Sequence, residues 1–179
     1  SRSFYTKEKP VEAPEDLEGL KIRVMESVTA MNMVSSLGGS PTPISWGELY
    51  TSLQQGVVDG AENNPPSFYL SRHYEVCKFY SLDEHTTVPD VLIIGTHLWN
   101  SLDVQQQQWV QESSTASVKY QRVLWATAEK EAIEEVQKAG VQVIRPDKTL
   151  FQQKVVSMFE DYKDEHEVYE LIHRIQAVK

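Results

Sequence analysis

The sequence carries a single cysteine, Cys77, in 179 residues. No internal disulfide can form, which excludes a small disulfide-stapled scaffold but leaves the compartment open, since large exported domains often lack disulfides. Glycine and proline number only 8 each and fall at boundaries, so there is no long linker and no internal repeat. Long hydrophobic runs are missing too. The longest aliphatic run is Val91-Leu92-Ile93-Ile94, far below the roughly 18 residues that span a bilayer. Basic charge is scarce: Lys and Arg total 17 against 26 Asp and Glu, a net charge of -9. A row of phosphates would repel that balance, so no nucleic-acid partner is expected, while a local positive pocket for a small anion stays compatible. There is no G-x-G-x-x-G, no Walker lysine loop and no G-x-S-x-G elbow, so neither a nucleotide cofactor nor a hydrolase nucleophile is indicated. An initiator Met and a signal peptide are also missing, and Ser1 to Thr6 alternates polar and aromatic residues like a strand already under way. That pattern is expected of a piece of a longer chain.

What is present points to a packed α/β domain. Hydrophobic residues make up 40% and charged residues 24%, enough for a core at a length that favours one domain or one plus part of another. Pro14 to Gly19 reads as a short helical turn. Leu20 to Met25 alternates like a strand. Ser27 or Thr29 caps a helix with Met31, Val34 and Leu37 on one face, and Gly38-Gly39 ends it. Ser40 to Ile44 must be extended, because residues before proline avoid the helical region. Ser45-Trp46-Gly47-Glu48 has the spacing of a capping box before a helix carrying Leu49, Tyr50 and Leu53. Val57 to Ala61 reads as a short strand that runs into a Glu62-Asn63-Asn64-Pro65-Pro66 loop. A helix over Ser67 to Tyr74 and a strand over Cys77 to Leu82 follow. Val91 to Gly95 is apolar enough for a strand buried on both faces. Helices are expected over Val104 to Glu112 and over Ser114 to Ala139, where Val118, Gln121, Trp125, Ala128, Ala132 and Val136 recur at helical spacing. Val141 to Ile144 is a strand, and two further helices carry Phe151 to Tyr162 and Val168 to Ile175. Strands alternate with helices almost throughout.

Few residues carry chemistry. His166-Glu167 starts like a zinc-protease motif, but the next histidine, His173, lies at i+7, where zinc needs i+4. Asp83-Glu84-His85, with His73, offers metal-ligand types, although three adjacent residues do not converge easily on one ion. Cys77 reads as a buried, inert thiol. Arg23 stands in an apolar strand, and a guanidinium's planar fork matches a carboxylate with two parallel hydrogen bonds. Glu62, Asn63 and Asn64 follow a strand at its carboxyl end, where open α/β sheets place ligands. Asparagine supplies donor and acceptor together, but asparagine and proline also make plain turns. Trp46 can wall a sugar face or pack as a staple on its helix.

A set of ordered blocks carries a family resemblance across essentially the whole chain. They are Gly19-Leu20-Lys21-Ile22-Arg23-Val24, Gly39-Ser40-Pro41-Thr42-Pro43, Trp46-Gly47-Glu48-Leu49-Tyr50 and Gly56-Val57-Val58-Asp59-Gly60-Ala61-Glu62-Asn63, followed by His73-Tyr74-Glu75-Val76 and Asp83-Glu84-His85. The chain resembles the solute-binding proteins of TRAP (tripartite ATP-independent periplasmic) transporters, the DctP family. The resemblance implies a periplasmic binding protein-like, type II, two-lobed α/β fold, represented here mainly by its second lobe with a long connecting helix. On that reading residues 1–88 form the second lobe, and residues 89–125 are the segment that normally returns to the first. Residues 126–179 are the end of the long helix and the helices packing back on the second lobe.

The resemblance also implies roles. Arg23 falls on the arginine that pairs with the ligand carboxylate, Asn63 on the asparagine after the D-G-x-E motif, and Trp46 on the aromatic pocket wall. Arg2 falls near a second family arginine, His85 on a histidine of the cleft's polar network, and Glu62 and Asn64 are neighbours. The implied function is capture of an organic acid in the periplasm and delivery to a membrane permease, with no catalysis and no cofactor. A sugar acid such as a uronate is favoured, and a C4-dicarboxylate, using Arg2 or Arg72 as a second cation, is the alternative. A metal-dependent enzyme built on Asp83, Glu84 and His85 is a competing class, and an interaction module built on the long helix is a third. Relatives that pair through this helix make a homodimer another expectation. With one cleft wall only, weak binding by the chain alone is expected.

Overall fold

The computed structural model of the chain describes residues 1–178. Its elements follow in order: β1 (Arg2–Thr6), a 3-10 turn (Pro14–Leu17), β2 (Lys21–Val24), α1 (Val28–Ser36), β3 (Ser40–Pro43), a 3-10 turn (Trp46–Glu48), α2 (Leu49–Gln54), β4 (Gly60–Asn63) and α3 (Pro65–Leu70). A 3-10 turn (His73–Glu75), β5 (Phe79–Thr86), α4 (Thr96–Ser101), α5 (Val104–Lys138), β6 (Gln142–Ile144), α6 (Lys148–Lys154), α7 (Val156–Glu160) and α8 (His166–Gln176) complete the chain. The strands form one sheet in the order β3-β2-β4-β1-β5-β6. β1 runs antiparallel to both β4 and β5, whereas β2 is parallel to β3 and β4, and β5 is parallel to β6. One reversed strand therefore sits inside an otherwise parallel sheet. The carboxyl ends of β2, β4 and β5 and the amino end of β1 consequently share one edge of the sheet.

Two apolar cores cover the two faces. Tyr5, Ala61, Phe68, Cys77 and Tyr80 pack with Leu49, Leu53, Val136 and Val141 on one. Phe4, Ile22 and Val24 pack with Val34, Leu37 and Phe151 on the other. The strict alternation of β1 (Phe4 one way, Tyr5 the other) is the two-residue period of a strand buried on both sides.

Several expectations need correction. The strand expected over Val57 to Ala61 lies three residues later, at Gly60–Asn63. Val57 still closes the end of α2 through its N–H to the Ser52 carbonyl (2.9 Å), and Asp59 is held by Lys21. Glu62 and Asn63 are thus strand residues, not loop residues. The capping box at Ser45 does not form. The Ser45 hydroxyl donates to Glu48 Oε2 (2.8 Å) and caps no backbone N–H, and the segment opens as a 3-10 turn. The helix after β4 starts earlier, at Pro65, where proline fits the first turn. It ends at Leu70, before Arg72 turns left-handed (φ 57°).

The two helices expected from 104 to 139 are one helix of 35 residues. No glycine or proline interrupts it, and Asp103 and Gln106 close a reciprocal capping box at its start. The run Val91 to Gly95 forms no strand. Val91, Leu92 and Ile93 are exposed (77, 72 and 84%) because no described strand offers them a sheet partner. Phe151 to Tyr162 divides into α6 and α7.

Candidate functional site

Arg23 occupies the third position of β2 and points to the Tyr5 side of the sheet, since Ile22 and Val24 face the opposite core. Its Nε donates to the Ile44 carbonyl (2.8 Å), and its Cζ lies 5.6 Å from the centre of the Trp46 ring. Arg23 is only 4% exposed, yet no carboxylate pairs with it among the described residues, and its Nη atoms make no hydrogen bond there. Burial holds its pKa below the usual arginine value. An uncompensated buried guanidinium is unfavourable unless an anion completes it.

Asn63 ends β4 on the same side of the sheet. Its Oδ1 accepts from the Asn64 N–H (2.9 Å) and its backbone carbonyl from Tyr80 Oη (2.8 Å), which leaves Nδ2 without a partner among the described residues. Asn64 itself is committed as the cap of α3, its Oδ1 accepting from Ser67 N–H (2.9 Å). Trp46 remains 44% exposed on its turn. His73 and Tyr5, which sequence reasoning did not place in the site, complete this face. The Tyr5 hydroxyl and His73 Nδ1 are 2.8 Å apart, and the His73 ring lies 5.2 Å from the Trp46 ring. Their approach spans 68 residues of sequence, and no local pattern carries that signal.

The opposite side of the same edge holds a second polar cluster. Arg2 grips Glu62 with Nε to Oε2 (2.5 Å) and Nη2 to Oε1 (2.7 Å). His85 lies behind, with Nδ1 2.6 Å from Asp83 Oδ2 and Nε2 3.6 Å from Glu62 Oε2. At 3.6 Å the second contact is an ion pair without a hydrogen bond, and His85 Nε2 is fully buried without a donor or acceptor partner. Burial alone would push the His85 imidazole down. The Asp83 and Glu62 carboxylates outweigh it and raise the pKa to about 9. Burial raises Glu62, but the hydrogen bonds from Arg2 and the charge of His85 bring it below the ordinary carboxylate value.

A bulge delivers this histidine. Register slips between β1 and β5 where Phe4 pairs with Ser81 and Arg2 with Thr86. Inside the slip Asp83 Oδ1 takes the Phe4 N–H (3.1 Å), and Glu84 adopts φ 52°. The extra residues roll His85 onto the Phe4 ring, 4.2 Å between centres. A cavity of about 280 Å3 opens beside the cluster, with Met25, Met33, Met158 and Phe159 among its apolar walls.

The two clusters sort the sequence expectations. Arg23, Asn63 and Trp46 come together on one side of the sheet edge. Arg2, Glu62 and His85 come together on the other, with Asn64 capping a helix between. Asp83, Glu84 and His85 do not converge on one point: Asp83 turns inward to Phe4 and His85, while Glu84 turns outward to Lys148. Among the described residues no group of three His, Cys, Asp or Glu side chains is arranged to hold a metal ion. Arg72 is a surface residue 3.6 Å from Glu75. Cys77 is buried, and burial lifts its thiol to about 12.

Polar side chains at the carboxyl ends of parallel strands, with an unpaired buried arginine among them, stand where open α/β sheets hold ligands. Residues 1–165 match the sequence model of the family described as bacterial extracellular solute-binding protein, family 7 (DctP), and the chain belongs to that family. A solute-binding protein of Chromohalobacter salexigens is 39% identical over 178 residues, 98% of this chain and 53% of the relative. The TRAP periplasmic solute binding protein of Roseobacter denitrificans, solved with bound β-D-glucuronate, has a TM-score of 0.93 and 39% identity over 100% of this chain and 60% of its own. That of Xanthobacter autotrophicus, solved with β-D-galacturonate, has a TM-score of 0.90 and 40% identity, again over 100% and 60%. The chain therefore spans between half and three-fifths of the length of these relatives.

Proposed function

We propose that this chain supplies one wall of a periplasmic cleft that captures an organic acid, foremost a hexuronate, for delivery to a TRAP permease. It would act as a binding protein rather than an enzyme. The observation that carries the proposal is Arg23: buried to 4% exposure, on a strand end, with no carboxylate of the chain's own. A ligand carboxylate supplies the missing charge in two parallel hydrogen bonds to the Nη atoms. Asn63 Nδ2 lies on the same side to orient that ligand, and the Trp46 ring gives an apolar wall for a pyranose face. Glu62 and His85 act from beneath, by holding the strand ends. Arg2 joins them there with two of its three nitrogens already engaged. The uronates bound by the two solved relatives support the ligand class. A C4-dicarboxylate would need a second free cation, whereas Arg2 is neutralised by Glu62 and Arg72 stands at the surface beside Glu75.

The exposed run Val91 to Ile93 and the outward residues Trp109, Val123 and Leu124 of α5 give residues 89–125 an apolar face. We assign it to contact with the part of the protein that the relatives have beyond the matched length. Residues 1–88 would form the second lobe, and residues 126–179 the end of the long helix and the helices packing back on that lobe, with β6 adding a strand to its sheet. The test is calorimetric titration of D-glucuronate and succinate into the intact protein, its Arg23→Ala variant, and the 179-residue chain alone. Glucuronate binding by the intact protein, lost in the variant and weak in the isolated chain, is expected. Equal binding with and without Arg23 would overturn the carboxylate assignment.

A further inference from the structure

We infer that His73 is a positioning residue of the Arg23 face: Tyr5 locks it as a neutral, Nε2-protonated ring that braces Trp46 beside Arg23. This rests on the binding reading above and deepens it.

The argument starts from the Tyr5 hydroxyl. It is fully buried, and His73 Nδ1, at 2.8 Å, is its one partner among the described residues. If Nδ1 carried the proton, the ring would donate to the phenol oxygen and strand the phenol O–H without an acceptor. A buried unpaired donor is costly, so the phenol donates and Nδ1 accepts. The ring proton then sits on Nε2. Among the described residues that atom has no partner either, yet it is not fully enclosed, because His85 Nε2 is the one enclosed and unpartnered side-chain atom there.

The ring's surroundings explain why it stays neutral. The titratable and charged groups around it are Tyr5 from β1, Arg23 from β2 and Tyr50 from α2, with Tyr50 itself tied to Glu75 (2.7 Å). Among the described residues no carboxylate contributes to the ring's pKa shift, and Glu75, two residues along the same turn, is taken up by Tyr50. Burial first, and the charge of Arg23 second, hold its pKa down to about 4. Protonating Nδ1 as well would reverse the Tyr5 contact, so that the ring donates to the phenol oxygen and the buried phenol O–H loses its acceptor. Neutral, the ring packs at 5.2 Å against Trp46, whose other neighbour is the Arg23 guanidinium. The indole thus neighbours both an uncharged ring and the cation, and its exposed part is left for the ligand.

The decisive measurement is 15N NMR of the His73 ring in the intact protein, paired with D-glucuronate titrations from pH 5 to 7.5, for the wild type, Tyr5→Phe and His73→Gln. The wild-type ring is expected as the Nε2–H tautomer down to about pH 5, with nearly constant affinity. Tyr5→Phe keeps the packed ring but removes the lock. With the donor to Nδ1 gone, the ring is expected to populate both tautomers at pH 7.5 and the variant to lose about threefold in D-glucuronate affinity there, because the brace on Trp46 is no longer fixed. An Nδ1–H tautomer in the wild type, a ring already protonated at pH 6, or an unchanged affinity in Tyr5→Phe would each overturn the inference. His73→Gln guards against a purely structural effect: it is expected to weaken binding at every pH without a pH-dependent component. If the wild type binds no uronate at all, the binding reading fails, while the tautomer still decides whether Tyr5 locks the ring.

Discussion

Arg2 and Glu62 close a two-point ion pair across strands β1 and β4, with the Arg2 side chain 14% and the Glu62 side chain 3% exposed. The pair joins residues 60 apart in sequence at the edge where the site lies. Breaking such a pair from one side leaves a buried charge without compensation, which is worse than removing both partners. Arg2→Met is expected to destabilise the fold by about 3 kcal/mol, softened by the neighbouring His85 charge, and Arg2→Met/Glu62→Gln to recover most of that loss. Urea unfolding of the three proteins checks this. A double variant as unstable as the single one would show that the pair is not the source.

Arg23 should behave in the opposite way. It has no carboxylate to abandon, so replacing it removes an unpaired buried cation and one hydrogen bond to the Ile44 carbonyl. Arg23→Met is expected to keep stability within about 1 kcal/mol while removing hexuronate binding. Thermal melts with and without D-glucuronate separate the two effects. A large drop in the ligand-free melting temperature would mean that Arg23 is a structural residue.

The contrast between these two arginines marks where sequence stopped being informative. The apolar alternation of Leu20 to Met25 puts Arg23 in a strand, and the strand expected over Val57 to Ala61 puts Asn63 in the loop at its carboxyl end, while its binding role comes only from the family resemblance. Neither could tell that Glu62 faces away from Asn63, because that depends on β4 starting at Gly60. The strand start is fixed by β1, whose antiparallel pairing brings Tyr5 to Ala61 and Thr6 to Gly60. The internal neutralisation of Arg2 and the Tyr5–His73 contact are likewise long-range and leave no mark in local periodicity. The long helix was legible in nearly all its residues, since no glycine or proline breaks it, although Ser113-Ser114 reads as a boundary. The apolar run from Val91 has the pattern of a buried strand but forms none, because apolarity reports only that a surface wants cover. It does not say that the cover lies in the same chain.

The two buried histidines set the pH dependence of stability, with opposite signs. His85 holds its proton to about pH 9 in the fold, whereas an unfolded histidine releases it near 6.5. Its contribution is therefore fully present below about pH 6.5 and lost as pH rises towards 9. His73 stays neutral in the fold down to about pH 4, whereas the unfolded chain takes up that proton near 6.5. Its effect is a loss of stability as pH falls from about 6.5 to 4. Stability is expected to peak around pH 6–7. His85→Gln should flatten the alkaline limb and His73→Gln the acid one, as read from urea midpoints across the range. An alkaline limb that persists unchanged in His85→Gln would disprove the assignment.

Gly60 offers the sharpest steric prediction. A Cβ placed on it would lie 2.4 Å from the Tyr5 carbonyl oxygen, 2.9 Å from Thr6 Cγ2 and 3.2 Å from Thr6 Cα. Two of those contacts are backbone atoms of the neighbouring strand, so no side-chain rotation relieves them and β1 must move away from β4. The same two strands carry the Arg2–Glu62 pair at one position and the Tyr5 hydroxyl at another. Displacing them should therefore cost site geometry as well as stability. Gly60→Ala is expected to destabilise by at least about 1–3 kcal/mol and to weaken hexuronate binding together with it. Gly47 provides the matched control: it lies beside Trp46 on the site turn, but a Cβ there meets no atom within 4 Å. Gly47→Ala is expected to change stability by no more than about 0.5 kcal/mol. Equal behaviour of the two variants in urea unfolding would mean that β1 and β4 are not pressed together at Gly60, and the strand register that separates Glu62 from Asn63 would have to be redrawn.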